Sequence, residues 1–194
     1  MSRQVNDDAL DIVFRDARSH GTWQDKPVTD AQLHAIYELM KMAPTTANSQ
    51  PTRILFLRSE AAKERLRPAL SAVNTKKVMT APVTAILGHD TRFYEMLPRL
   101  YRNPAARSWY DNPQAPVHSL RNSSIQGGFF IAAARAIGLD CGPMSGFKND
   151  MVDAEFFPDG RFKSNFLCCL GHGDPSTLPK QDYRFGFDEV CQVL

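Results

Sequence analysis

The sequence predicts one domain of the α+β or α/β class, with helices packed around a single sheet. Helical periodicity recurs in several segments, runs suited to buried strands are few, and the two kinds are mixed along the chain. At 194 residues with 43% hydrophobic content, the chain is long enough for one sizeable core and short for two, so a single domain over residues 1–194 is expected.

Taken in order, Leu10, Val13, Phe14 and Ala17 stand at helical spacing and predict a helix over about residues 9–17. A second helix opens at Thr29, which forms a capping box with Gln32; Leu33, Ile36, Tyr37 and Met40 make its apolar stripe, and Pro44 blocks its continuation. "RILFLR" reads as a buried strand, "SEAAKERLRPALSAV" as a charged surface helix interrupted by proline, and "VTAILG" as another buried strand. Residues 117–137 form a helical pattern that becomes apolar nearly all round in its second half, and Gly138 suits its C-terminal cap. Asn149 suits the cap of a short helix over "DMVDAEFF", and "NFLCCLG" reads as a last strand. "RNPAARSWYDNPQAP", residues 102–116, is the one long irregular insert, and such loops often carry function.

A formal net charge of +2 with both signs interspersed provides no basic stripe, so nucleic acid is not an expected partner. Acids within the first ten residues, no leading apolar stretch and no run near membrane-span length predict a soluble, cytoplasmic protein without membrane contact. Cys141, Cys168, Cys169 and Cys191 contain no CxxC pair and read as buried, reduced thiols, with no metal site expected. GxGxxG, GxxxxGK[ST], HExxH and GxSxG are all absent; His34 reads as a surface residue and His172 as a turn histidine.

What remains is a series of polar clusters: "ARSHGTW" with Arg18, the loop "PTTANSQP", "NTKK" with Asn74 and Lys77, "GPMSG", and Arg184 in "DYRFGF". Each alone has a structural explanation as a helix end, a solvated charge or a turn. Together and in this order they resemble the FMN-dependent nitroreductase family. Arg18 and Ser19 match its R-S motif, "TTANSQP" its S-x-x-N-S-Q-P loop, Asn74 and Lys77 its N-x-x-K, and residues 142–146 its G-P-x-x-G. The longer stretches "APTTANSQPTR", "ERLRPALSAVNTKKVMTAPVTAI" and "GLDCGPMSGF" look closest to its malonic semialdehyde reductase subfamily, known as RutE.

The resemblance implies an α+β fold with helices around a mostly antiparallel sheet, in a homodimer with FMN at the subunit interface and NADH or NADPH as reductant. Arg18, Ser19 and Arg184 would hold the FMN phosphate, for which the planar guanidinium fork is suited. Thr45, Thr46, Asn48 and Gln50 would meet the pyrimidine edge of a flavin bound mainly by the other subunit, since a carboxamide offers one donor and one acceptor in a plane. Lys77 would place positive charge where a reduced flavin accumulates negative charge, with Asn74 beside it if that segment is helical. The backbone of Pro143, Met144, Ser145 and Gly146 would approach the hydride-accepting N5, so no protein nucleophile is needed.

Three positions depart from the family pattern. Gly21 stands where a lysine or arginine is common, which leaves His20 to share flavin or substrate contacts; Thr52 replaces a frequent tryptophan, and Ser145 a common glutamate. The implied substrate is malonic semialdehyde, reduced to 3-hydroxypropionate, with Arg107 of the insert as the candidate cation for its carboxylate. A broad nitroaromatic or quinone reductase and a non-catalytic flavin-binding protein are the alternatives.

Overall fold

A computed structural model describes residues 4–194. The N-terminal helical segment comprises α1, Asp7–Leu10, and a π-helical turn at Asp11–Arg15 that ends before Ala17 and leaves Phe14 exposed. α2 spans Asp30–Met40 behind the expected Thr29–Gln32 capping box, both halves of which are formed. Ile36 and Met40 are buried on its inner face, whereas Tyr37 lies half exposed at the margin.

After the loop come β1, Thr52–Leu57, and α3, Glu60–Leu66, which a 3-10 turn containing Pro68 separates from α4, Ala72–Thr80. β2, Val83–Asp90, is buried along its whole length. The expected irregular insert is broken by one short helix and otherwise runs in turns up to the start of α7. α5, Leu97–Leu100, precedes it and α6, Ala106–Tyr110, lies within it; Phe93, Leu97, Ala106 and Ala115 close a small core of their own.

α7, Ala115–Ala136, ends in the cap expected from Gly138. Gly138 has φ of +80°, and the Gly138 and Leu139 amides return to the Arg135 and Ala134 carbonyls. "DCGPM" is β3, Asp140–Met144, where the sequence suggested only a turn. Pro143 disguised it, and an edge strand tolerates a residue with no N–H to donate. α8, Asn149–Phe156, is not capped by Asn149, whose carboxamide donates instead to Ser164. β4, Phe162–Gly171, starts three residues earlier than expected, and a short α9, Phe187–Val190, lies in the exposed tail.

The four strands form one antiparallel sheet in the order β1-β2-β4-β3, which settles the class as α+β. Alternation along β2 and β4 sends Ala85, Leu87, Cys168 and Leu170 to one face, under α2 and α7. Ile86, Leu167 and Cys169 go to the other, with buried residues of α3, α4 and α8. Cys141, Cys168 and Cys169 are buried and Cys191 is exposed; all four are free thiols. Among the described residues no helix is long and apolar enough to cross a membrane.

Candidate active site

Residues 18–20 run along the outer edge of β3. Ser19 bridges Cys141 in parallel, and the His20 amide donates to the Cys141 carbonyl over 2.9 Å. This contact sets Arg18 and Ser19 in a cleft of about 200 Å³ shared with Arg135, Asp182 and Arg184. Arg18 donates to the Pro179 carbonyl over 2.7 Å and so ties the tail to the cleft. Arg135, from the last turn of α7, donates through Nη1 to the Val13 carbonyl, while its Nε is buried without a partner. Three guanidiniums against one carboxylate make a positive concavity with donors to spare, as an anion requires. Arg135 went unnoticed in the sequence because a basic residue in a helix's last turn is ordinary dipole compensation.

Next to this cleft, the Lys77 side chain lies across two glycines. A Cβ on Gly21 would come 3.2 Å from Lys77 Cε; one on Gly142 would come 3.4 Å from Lys77 Cδ and collide with the His20 carbonyl. Trp23 Nε1 donates to the Lys77 carbonyl over 3.3 Å and fixes the helix turn that carries the lysine. Gly21 therefore leaves to Lys77 the space that a larger side chain would contest. His20 lies beside this gap, 5% exposed and enclosed by Gly173, Trp23 and Asp140, with Nε2 3.5 Å from the Asp140 carboxylate and Nδ1 buried without a partner.

The turn after β3 is held from α4. The Gly146 carbonyl accepts both the Asn74 carboxamide, at 3.0 Å, and the Ser71 amide, at 3.2 Å, while Ser71 Oγ is buried beside it without a partner. Asn74 thus commits one of its two amide hydrogens to the backbone. Met144 is buried in the core, leaving Ser145 and Gly146 exposed.

The loop "PTTANSQP" lies at the opposite edge of the sheet, where it enters β1. Ala47, Asn48 and Gln50 have φ of 49°, 50° and 40°. Left-handed backbone at non-glycine residues costs on the order of 1–3 kcal/mol each and persists only where the surroundings over-determine it. Gln50 donates from its amide to Thr45 Oγ1 and from its carboxamide to Asn48 Oδ1; Asn48 donates to the Leu100 carbonyl. Thr46 donates its amide to Asn122 Oδ1 over 2.8 Å. One chain therefore brings together Arg18, Ser19, Asn74, Lys77, residues 143–146 and Arg184 at the β3 edge, and keeps Thr45, Thr46, Asn48 and Gln50 apart from them. Arg107 is exposed on α6.

The nitroreductase family model matches residues 15–172 of the chain. A relative from Ralstonia nicotianae, provisionally named NADH dehydrogenase/NAD(P)H nitroreductase, is 51% identical over 95% of this chain and 96% of its own length. HadB of Ralstonia pickettii, under the same provisional name, is 48% identical over 95% of this chain and 97% of its own. Among solved structures, a provisionally named nitroreductase from Exiguobacterium sibiricum, in complex with FMN, superposes with a TM-score of 0.86 at 21% identity over the full length of both chains. With the family model covering most of the chain and full-length relatives at about half identity, the chain belongs to the nitroreductase family.

Proposed function

We propose that the chain is an FMN-dependent oxidoreductase that draws on NADH or NADPH and works as a homodimer. The observation that carries this reading is the convergence of Arg18, Arg135 and Arg184 on one cleft, beside a glycine-floored cradle crossed by Lys77. The spare Arg135 Nε and the unpartnered Ser71 Oγ fit a bound group that offers acceptors. The E. sibiricum neighbour's complex with FMN and the names of the Ralstonia relatives support the same cofactor and reductant.

The chemistry that FMN supplies when bound is hydride transfer from a reduced nicotinamide to a second substrate. The chain supplies position and charge. Arg18, Ser19, Arg135 and Arg184 would hold the phosphate through charge-assisted hydrogen bonds. Lys77 would set a positive charge against the ring and favour its reduced form. Asn74 and Ser71 hold the turn that lets the main chain of Ser145 and Gly146 approach closely. Thr45, Thr46, Asn48 and Gln50 would grip the pyrimidine edge from the partner subunit, a division supported by their place at the far edge of the sheet.

On the resemblance of the long motifs, the proposed substrate is malonic semialdehyde, reduced to 3-hydroxypropionate, with exposed Arg107 as the candidate cation for its carboxylate. A broader nitro or quinone reductase is the second reading, favoured by the names of the relatives. The visible spectrum of the purified protein, followed by anaerobic mixing with NADH or NADPH, tests the proposal. A flavin spectrum that bleaches rapidly is expected. Bound flavin that never bleaches would reduce the protein to a flavin carrier, and a colourless protein after incubation with FMN would overturn the proposal.

A further inference from the structure

We infer that a row of buried polar side chains on α7 templates the loop "PTTANSQP", and that Asn122 is the positioning residue that sets the loop's grip on FMN. The inference rests on the proposed role of that loop. Ser119, Asn122, Ser123 and Gln126 recur at helical spacing and are each at most 2% exposed, where an inward helix face is ordinarily apolar. The same helix continues with Phe130, Ala133 and Ala134, so the polar half is confined to the turns beside the loop.

Buried polar groups are costly unless paired; Asn122, Ser123 and Gln126 pair with the loop or with Thr52 at its end, and Ser119 reaches it through Asp90. Gln126 Oε1 accepts the Thr52 amide over 3.1 Å, and Ser123 Oγ meets Thr52 Oγ1 at 3.1 Å. Ser119 Oγ donates to the Asp90 carbonyl over 2.6 Å, and the Asp90 amide donates to the Pro51 carbonyl over 2.9 Å. Asn122 Oδ1 accepts the Thr46 amide, while its Nδ2 donates to the His118 carbonyl within its own helix. The loop is thus fastened at Thr46 on one side and at Pro51 and Thr52 on the other. Between these points lie the three left-handed residues Ala47, Asn48 and Gln50.

The alternative is that the row only completes the core. Ser119, Ser123 and Gln126 do join α7 to the ends of β1 and β2, and would be kept for that alone. Asn122 differs, because its one bond outside α7 goes to the loop. Losing it should free the loop's entrance while the β1 and β2 anchors persist.

The test compares Asn122→Ala, Asn122→Asp, Gln50→Ala and the double variant Asn122→Ala/Gln50→Ala. FMN titration of each apoprotein is followed by flavin fluorescence and by the visible band of the bound flavin, with thermal unfolding of the apoprotein as a fold control. Asn122→Ala should weaken FMN binding by about 10-fold, the scale of one lost hydrogen bond. It should also shift the band. Asn122→Asp, which retains an acceptor for the Thr46 amide, should recover part of the affinity. The double variant should bind little worse than the weaker single one, because Gln50 can act only from a held loop. If Gln50→Ala weakens binding while Asn122→Ala matches wild type in affinity and band, or if the two losses multiply, the inference falls and the loop's role stands. If Gln50→Ala itself leaves FMN affinity unchanged, the loop's proposed role falls and takes the inference with it. Should Asn122→Ala fail to fold, Asn122→Leu, which fills the same volume without an acceptor, replaces it in every comparison.

Discussion

His89, near the end of β2, is 6% exposed, and its Nδ1 lies 2.9 Å from Ser119 Oγ. The serine's single hydrogen goes to the Asp90 carbonyl, so the imidazole must donate from Nδ1 to the hydroxyl oxygen. Burial holds the His89 pKa below its ordinary value, against the pull of Asp153 and Asp90 and with a smaller push from Lys163. The unfolded chain therefore takes up a proton that the folded one refuses. Stability should be full above about pH 6.5 and fall as pH drops from there to the folded pKa. Urea unfolding at stepped pH should show this slope, and His89→Gln should flatten it; an unchanged slope would assign it to another group. At Lys77, Lys77→Met should lower the reduction potential of bound flavin while costing FMN affinity less, because the arginine cleft remains. Potentiometry on the FMN-loaded variant checks this, and an unchanged potential would move the tuning charge elsewhere. Lys77 and Asn74 were legible because they stand in a spaced motif, whereas Arg135 and Asn122 were not. A lone arginine at a helix end and a lone asparagine inside a helix acquire meaning only from what the fold brings against them.

At the scale of elements, legibility followed periodicity. The capping box of α2, the buried run of β2 and the glycine cap of α7 were readable because each rests on local chemistry. β3 was not, since its proline and glycine read as turn residues, and only pairing with β4 makes them a strand. α7 reads as apolar nearly all round in its second half, yet Ile125 and Phe129 are about two-fifths exposed, while Ser119, Asn122, Ser123 and Gln126 point inward. Which face of a helix is inside depends on partners distant in sequence. β3 also carries a sharp steric demand, because the strip at residues 18–20 packs against Gly142 with no room for a Cβ before the His20 carbonyl. Gly142→Ala should cost on the order of 1–3 kcal/mol by overpacking. It should also weaken FMN binding, because the displaced strip carries Arg18 and Ser19. Denaturant unfolding and FMN titration on one preparation measure both, and a variant with wild-type stability would show that the strip gives way freely.

At the scale of the whole molecule, several surfaces ask for a partner. Val117, Leu120, Ile125 and Phe129 are 41–50% exposed along one flank of α7, and the tail leaves Tyr183, Phe185, Phe187, Val190, Val193 and Leu194 all more than 60% exposed. Exposed apolar surface of this kind is where the proposed homodimer would form its interface. In a two-fold dimer the same patch is buried from both sides, so one face and one tail serve twice. The division of the candidate site gives this surface a functional reason. The arginine cleft and Lys77 lie at the β3 edge and the loop at the β1 edge, so one chain offers a flavin only part of the contacts proposed for it. FMN binding and association should therefore be linked: a ligand held only by the dimer stabilises it by mass action, by RT ln(1 + [FMN]/Kd). Light scattering on dilution should show a dimer that persists to lower protein concentration with FMN than without it. Replacing Ile125 and Phe129 by serine, neither of which is among the contacts proposed for FMN, should weaken the dimer and FMN affinity together. A monomer that keeps its flavin with unchanged affinity would mean that each chain completes its own site, and the loop would then need another role to account for its three strained residues.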